Sequence, residues 1–583
     1  MTTLAAASLG IAALVLASIP AMAGSPDADT RFKALYSREW AWREDQFADD
    51  EDGNKPVVDH LPKVDPATQA MRLAYWQAVM KELDAIPRDQ LSAHARIDYD
   101  VYKPQIAVLI ASQKFRDYEM PVNSDTTFWT DLGYTARRTF KTPNDYTSWI
   151  AQMRDVARYF DEQTEEMRAG LKRGFTPPQV TLEGRDASLT NVIDAKPEDS
   201  LFYVPFKDMP GIAPDRQAAL RAEAIDVIRT RVQLAYAQML KFMRDEYVPG
   251  ARKTLAAEAM PDGKAWYRAQ IVEYTTLDED PAEIHALGVR EVARLHQQMI
   301  DVMKETGWKG DFPSFLQYLR TDPRFYPRTA QALLDRAAWI AKTFDGKASQ
   351  FFGLLPRARF AIKPVPDDLA PFYTAGRGGP GVYLVNTYDL PHRPLYNLVA
   401  LTLHESAPGH AFQMPLAAED KSLPDFRRYT YISAYGEGWA LYSEWLGLEM
   451  GMYDDPYDKF GMLGYQIWRA ARLVVDTGIH SQGWTREQAI QYMHDYTALP
   501  DHEIATEVDR YIAWPAQALS YYLGEMAIRA AREKAEKALG PKFNIRAFHD
   551  TVLQLGSVPL PVLTARIDGF IADGGVGPYP ELE

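Results

Sequence analysis

Apolar residues recur at three- and four-residue intervals along most of this chain, and that spacing restricts its fold more than any other feature. Between Asn144 and Lys172 the residues Trp149, Met153, Val156, Tyr159 and Phe160 share one face of a 3.6-residue period. The same pattern runs from Ala67 to Ile86, Asp215 to Asp245 and Pro281 to Thr306, and from Arg328 to Phe352 with a stripe at Leu333, Leu334, Ala337, Ile340 and Phe344. Each stripe predicts an amphipathic helix that must bury one face, so the expected fold is mainly α. Met and aromatic residues in such stripes read as core. At 583 residues and 46% hydrophobic content the chain can bury a large core. Of its Pro/Gly-rich connections only Pro356 to Gly381 reads as a boundary, which predicts an N-terminal helical subdomain at 24–355 and a C-terminal one at 356–583, together forming one unit.

Charge and composition remove several function classes. A net charge of −15 and no Lys/Arg stripe interleaved with aromatics argue against nucleic acid as a partner. The absence of cysteine removes disulfides, thiolate ligands and cysteine nucleophiles, leaving histidine and carboxylate to bind any metal. Residues 1–23 combine an apolar run from Leu4 to Ala17, Pro20 and an Ala21-Met22-Ala23 site, although no basic residue precedes the run. They read as a cleaved signal peptide, so the mature protein is expected to be exported, periplasmic or secreted. With no cysteine after the site, lipid attachment there is not expected. No later segment has eighteen uncharged apolar residues, so no stable membrane insertion is expected after cleavage.

Seven of the eleven histidines lie beyond residue 390, and two of them flank His404-Glu405-Ser406-Ala407-Pro408-Gly409-His410. This stretch looks like the HExxH zinc-peptidase helix with two extra residues. In that motif two histidines on one helix face bind a metal and the glutamate acts as general base. Six residues apart on a regular helix, the two rings would sit roughly 120° apart around the axis. Pro408 has no N–H and clashes with the preceding turn, so it should interrupt the helix, and Gly409 can adopt a positive φ. A widened turn there would bring His410 back beside His404. The bland reading is a helix that simply ends at a Pro-Gly turn with histidines complementing its dipole. These seven residues alone leave both readings open.

A catalytic zinc needs three protein ligands and an open position. The best third candidate is Glu437, 27 residues after His410 at the start of the helical stretch Tyr435 to Glu444. Glu444 falls on the same helix face and suits a supporting hydrogen bond to a ligand. Two solvated helix carboxylates are the plain alternative. Gly376-Arg377-Gly378-Gly379-Pro380-Gly381 formally fits a dinucleotide fingerprint, but Val382 to Asn386 after it reads as a strand where the fingerprint needs a helix. A loop and a short strand are expected there, leading into a helix from Pro394 to Glu405.

Beyond these residues the chain resembles a known family. The HExxxGH sequence, Glu437-Gly438-Trp439-Ala440-Leu441-Tyr442, Arg472 to His480 with Gly483-Trp484, Glu507 to Tyr511, and Pro515 to Tyr521 are similar to the bacterial family filed as domain of unknown function 885. Its members are similar in fold to helical zinc peptidases of the carboxypeptidase Taq and angiotensin-converting-enzyme groups. The resemblance implies a mostly helical, zincin-like body split by a deep channel. It implies one Zn2+ per chain on His404, His410 and Glu437, with Glu405 as general base, and His480, Arg510 and Tyr521 as candidates to bind substrate or stabilise an oxyanion. Two positions depart from the pattern, Ala516 where Gly is expected and Tyr522 where Lys is common.

The expected function is therefore zinc-dependent hydrolysis of peptide bonds, with short peptides as substrate. A non-catalytic binding protein on the same fold has no need of Glu405, and a zinc hydrolase of a non-peptide amide would need the same residues. Ser-His-Asp catalysis has little support, because neither Ser406 nor Ser481 lies in a G-x-S-x-G elbow.

Overall fold

Helices form where the apolar period places them, and local chemistry sets their ends. In the computed structural model, which describes residues 27–47, 55–124, 126–367 and 369–582, the expected helices appear as Pro66–Asp84, Pro143–Arg173, Pro281–Glu305 and Ala330–Asp345. The signal peptide expected at 1–23 lies outside the described residues. At the start of Pro143–Arg173 the Thr142 side chain accepts from the Asp145 N–H while Asp145 accepts from the Thr142 N–H, a capping box that satisfies two otherwise unpaired donors. The stretch expected at 215–245 runs from Pro214 to Gly250, with wide π turns at Ile228–Val232 and Met243–Tyr247.

Two apolar cores result, and they do not part at residue 355. The smaller is built from residues 57–251, around Trp129, Trp149, Phe160 and Tyr236. The larger joins Phe32, Trp76 and Tyr102 to Leu295 and Phe344 and to the C-terminal helices as far as Phe570. Helices on both sides of the expected boundary thus share one core, because apolar faces pair by proximity in space and chain order does not constrain which faces meet.

At the centre of the larger core lies the helix Pro456–His480, in which every residue from Tyr465 to His480 is buried. It packs along Pro281–Glu305, while Ser433–Leu446 packs along Ser520–Leu539. A helix buried on all sides must find partners inside the protein for its polar residues, which here include Arg469, Arg472, Asp476 and His480.

Among the described residues, three short strands complete the fold. β1 (Ala361–Pro364), β2 (Gly376–Gly379) and β3 (Val382–Val385) order as β1-β3-β2, with β1 parallel and β2 antiparallel to β3. The glycine-rich stretch expected as a loop is therefore an edge strand that pairs Gly378 with Tyr383, and no helix follows it. The helix expected from Pro394 begins as a 3-10 turn at Leu395–Asn397 and becomes α-helical over Leu398–Glu405. Among the described residues no helix is long and apolar enough to cross a membrane.

Candidate metal centre

The interruption between the two histidines is sharp. The first helix ends at Glu405, Ser406 leaves helical geometry at φ −100°, ψ −104°, and a second helix starts at His410 and runs to Glu419. Gly409 does not use a positive φ as expected; it sits at φ −72°, ψ −135°. Its need for glycine comes from close approach: a Cβ there would lie 1.8 Å from the His404 carbonyl oxygen and 2.5 Å from that of Leu403. The Gly409 N–H donates to the Leu403 carbonyl at 3.0 Å, and the Trp439 indole N–H holds the Pro408 carbonyl at 2.7 Å. The loop is thus fixed from both sides, and the imidazole rings of His404 and His410 stand 4.9 Å apart, nearly perpendicular.

Glu437 closes the group from the facing helix Ser433–Leu446. One ligand atom each from His404, His410 and Glu437 lie within 4.8 Å of one another. Glu437 Oε2 is 3.5 Å from His404 Nε2 and 3.4 Å from His410 Nε2. Ligand atoms about 2.0–2.1 Å from a tetrahedral zinc stand about 3.4 Å apart, so these separations are those of a tetrahedron's edges. The other Glu437 oxygen, Oε1, accepts the Tyr431 hydroxyl at 3.1 Å, which leaves Oε2 turned to the histidines. The glycines beside Glu437 have packing reasons. A Cβ on Gly436 would meet the Tyr431 ring at 2.3 Å, and one on Gly438 would meet the Gly524 backbone at 2.4 Å.

His404 Nδ1 is 2.7 Å from Glu444 Oε1, and Glu444 is wholly buried. A proton on Nδ1 directed at that carboxylate leaves the Nε2 lone pair facing Glu437 and His410, the arrangement that orients metal-bound imidazoles. Burial opposes charge on His404, yet the carboxylates of Glu437 and Glu444, accepting from its ring, prevail and raise its pKa to about 10. Burial likewise works against an ionised Glu437, but His410 and His404 hold its carboxyl well below the usual range. The set of two histidines and flanking carboxylates therefore favours positive charge at its centre, as a divalent ion would supply, and its nitrogen and oxygen donors suit zinc.

Glu405 stands next to this group on the edge strand's side. Its Oε2 accepts the Gly378 backbone N–H at 2.6 Å. Tyr431 is 43% exposed although burial, followed by Glu437 and Tyr521, pushes its phenol well up.

The three further candidates separate. His480 is fully buried with both ring nitrogens committed to main chain: Nδ1 accepts from the Ala257 N–H at 3.2 Å and Nε2 pairs with the Tyr511 carbonyl at 2.8 Å. Burial depresses its pKa to about 3, so it stays neutral and has no atom left for a substrate. Its place is structural, a correction to the expected role. Arg510 and Tyr521 do come together, with Arg510 Nη2 donating to Gln517 Oε1 at 2.7 Å and to the Tyr521 hydroxyl at 3.4 Å. Ala516, where glycine was expected, has φ +70°, a left-handed conformation that explains the glycine preference, and its N–H is held by Asp476 at 3.0 Å. The Tyr522 hydroxyl donates to Glu291 at 2.8 Å and so belongs to the packing against Pro281–Glu305.

Sequence reasoning missed three contributors. The Gly378 N–H and the Tyr431 hydroxyl reach the site from a strand and a loop, and neither carries a spacing signal relative to the histidines. Arg469, whose Nη2 is 4.0 Å from Glu444 Oε1, sits in the buried helix where its charge was the only available signal.

The fold and site together define a mainly helical protein with a buried His-His-Glu group flanked by a strand-held glutamate. The chain belongs to the family described as "Bacterial protein of unknown function (DUF885)", which matches residues 50–567. A crystal structure from Colwellia psychrerythraea, titled a "putative lipoprotein", is similar at 26% identity and TM-score 0.87, covering 94% of this chain and all of that one. A structure from Shewanella oneidensis, under the same description and of unknown function, shares the fold at 18% identity and TM-score 0.66, covering 93% of this chain and 99% of that one. No curated protein matches the chain.

Proposed function

We propose that this protein is an exported zinc-dependent metallopeptidase that hydrolyses short peptides, on a zincin-like helical body with its substrate channel leading to His404, His410 and Glu437. The observation that carries the reading is that Glu437 Oε2 lies at tetrahedral-edge separations of 3.4 and 3.5 Å from the two imidazole nitrogens, with Glu405 next to His404 in the chain. A binding protein has no use for a general base at that position. Export is supported by the leader-like first 23 residues and by the lipoprotein description of the neighbours.

His404, His410 and Glu437 would hold the ion, with Glu444 orienting His404. Bound there, zinc supplies Lewis acidity toward a carbonyl and brings the pKa of a water toward ~7. Glu405 accepts a proton from the attacking water at its free oxygen and delivers it to the leaving amine, while the Gly378 N–H keeps the carboxylate from rotating away. The Tyr431 hydroxyl occupies Glu437 Oε1, so Oε2 is the atom that would hold the ion. Tyr521, held by Arg510, is the donor available to a developing oxyanion.

Elemental analysis of purified protein beside His410→Ala, followed by peptide assays of Glu405→Gln, tests the reading. About one zinc per chain, lost in His410→Ala, is expected, and Glu405→Gln should keep the metal while turnover falls about 10²- to 10⁴-fold or more. Equal turnover by Glu405→Gln and wild type would refute the mechanism.

A further inference from the structure

Three guanidinium groups crowd around one tyrosine beside the candidate metal centre. Arg472 lies over the Tyr521 ring at 4.5 Å and Arg469 at 5.9 Å, while Arg510 reaches the hydroxyl at 3.4 Å. Their anionic partners are few. Glu507 serves two of them, at 2.9 Å from Arg472 Nη2 and 3.5 Å from Arg510 Nη1, and it also accepts the Tyr511 hydroxyl at 2.8 Å. Glu444 is 4.0 Å from Arg469 and is already committed to His404. Glu503 also faces Arg469 and Arg472, but burial and the neighbouring Glu507 work against its ionisation.

Arg469 and Arg472 are nearly closed off from solvent, with side-chain exposures of 6% and 2%. Yet Arg469 Nε and Nη1, and Arg472 Nη1, have no hydrogen-bond partner. Burying charged donors without acceptors is costly and uncommon, and an entering carboxylate would complete the arrangement. Guanidinium forks match the planar, two-oxygen geometry of a carboxylate. Glu444, 2.7 Å from His404 Nδ1 and 4.0 Å from Arg469 Nη2, connects this cluster to the candidate metal centre.

We propose that Arg469 and Arg472, with Arg510, form a receptor for a substrate carboxylate around the ring of Tyr521, whose hydroxyl stays with the oxyanion. Resting on the metallopeptidase reading above, this makes the preferred substrates short peptides with a free C-terminal carboxylate, cleaved near that end, and disfavours internal cleavage of long chains.

The test is calorimetric binding of trialanine, with its C-terminus free or amidated, to zinc-treated Glu405→Gln protein with and without Arg469→Met. The free acid should bind at least tenfold more tightly than the amide. Arg469→Met should remove most of that preference and leave amide binding unchanged, and Arg469→Lys should restore part of it. A merely structural arginine would instead lower the melting temperature of the ligand-free protein when replaced by Met, whereas removing an unpartnered charge should leave it equal or higher. Equal affinity for acid and amide overturns the receptor while the metallopeptidase reading stands, and this comparison needs no arginine variant. Failure of both peptides to bind also overturns it, and the zinc content of the same samples shows separately whether the metal reading has failed.

Discussion

Glu444→Gln is the most informative single change, because at constant side-chain shape it removes the charge behind the candidate metal centre, the same charge that faces Arg469 at 4.0 Å. Glu444 is wholly buried on Ser433–Leu446, and its Oε1 lies 2.7 Å from His404 Nδ1, so a glutamine of the same shape can keep its amide oxygen in place. What changes is the acceptor. A hydrogen bond to an ionised acceptor is roughly twice as strong as a neutral one, and an anionic partner raises the basicity of the imidazole toward a metal at Nε2. Losing such a supporting carboxylate typically weakens metal affinity by about 10- to 100-fold, or about 1.4–2.7 kcal/mol. Competition for zinc against a chromophoric chelator, run on wild type and variant at pH 7.5, reads that change directly. We expect weaker zinc binding with an unchanged circular dichroism spectrum. Equal zinc affinity in the two proteins would refute the reasoning, since a 2.7 Å contact to a metal ligand with no effect on the metal means that the ion is not bound through His404.

Other substitutions probe the parts separately. Gly409→Ala places a methyl group 1.8 Å from the His404 carbonyl and should cost about 1–3 kcal/mol or more and displace His410, seen as lost zinc in elemental analysis; full retention of metal and stability would contradict the packing described. Ala516→Gly relieves a φ of +70° and should stabilise the protein by about 0.5–1 kcal/mol, the strain of a left-handed alanine less the entropy cost of glycine, read as a higher urea midpoint. His480→Leu leaves the Ala257 N–H and the Tyr511 carbonyl unpaired, a loss of about 2–5 kcal/mol at pH 8. That deficit should shrink on acidification. The folded His480 stays neutral down to about pH 3 while the unfolded one takes up a proton below about 6.5, so wild type alone loses about 1.4 kcal/mol per pH unit across that window. Urea unfolding at pH 5 and pH 8 checks the sign; a deficit that grows at pH 5 would show the histidine to be protonated in the fold.

Much of the fold could be read in advance because helix formation is governed by near neighbours. The stripe Trp149, Met153, Val156, Tyr159 and Phe160 requires a helix whatever it packs against, and the Thr142 and Asp145 side chains mark its start. Spacing alone also placed Glu437 and Glu444 on one face of a helix after the histidines, since a seven-residue step nearly completes two turns. The break at Pro408 was legible for the same local reason, a missing N–H. Gly409 was only half legible: its residue type was expected to matter, but the reason, contact with the His404 carbonyl, depends on how sharply the chain returns.

Tertiary structure alone decided the rest, because contacts between distant residues leave no periodic trace. The Gly378 N–H reaches Glu405 from 27 positions away, through a glycine run whose composition suggests a loop and whose pairing with β3 makes it a strand. His480 has the residue type of a catalytic group, but the fold surrounds it with the main chain of Ala257 and Tyr511, and burial there turns it into a neutral structural member. Which apolar faces share a core also eluded local reading, since that depends on which faces meet, and here residues 28–110 and 257–352 meet the C-terminal helices. Sequence determined the helices and nominated the candidate metal ligands through short-range periodicity and residue chemistry. Only the packed structure decided which charged side chains found partners, because desolvation and pairing are set by three-dimensional neighbours.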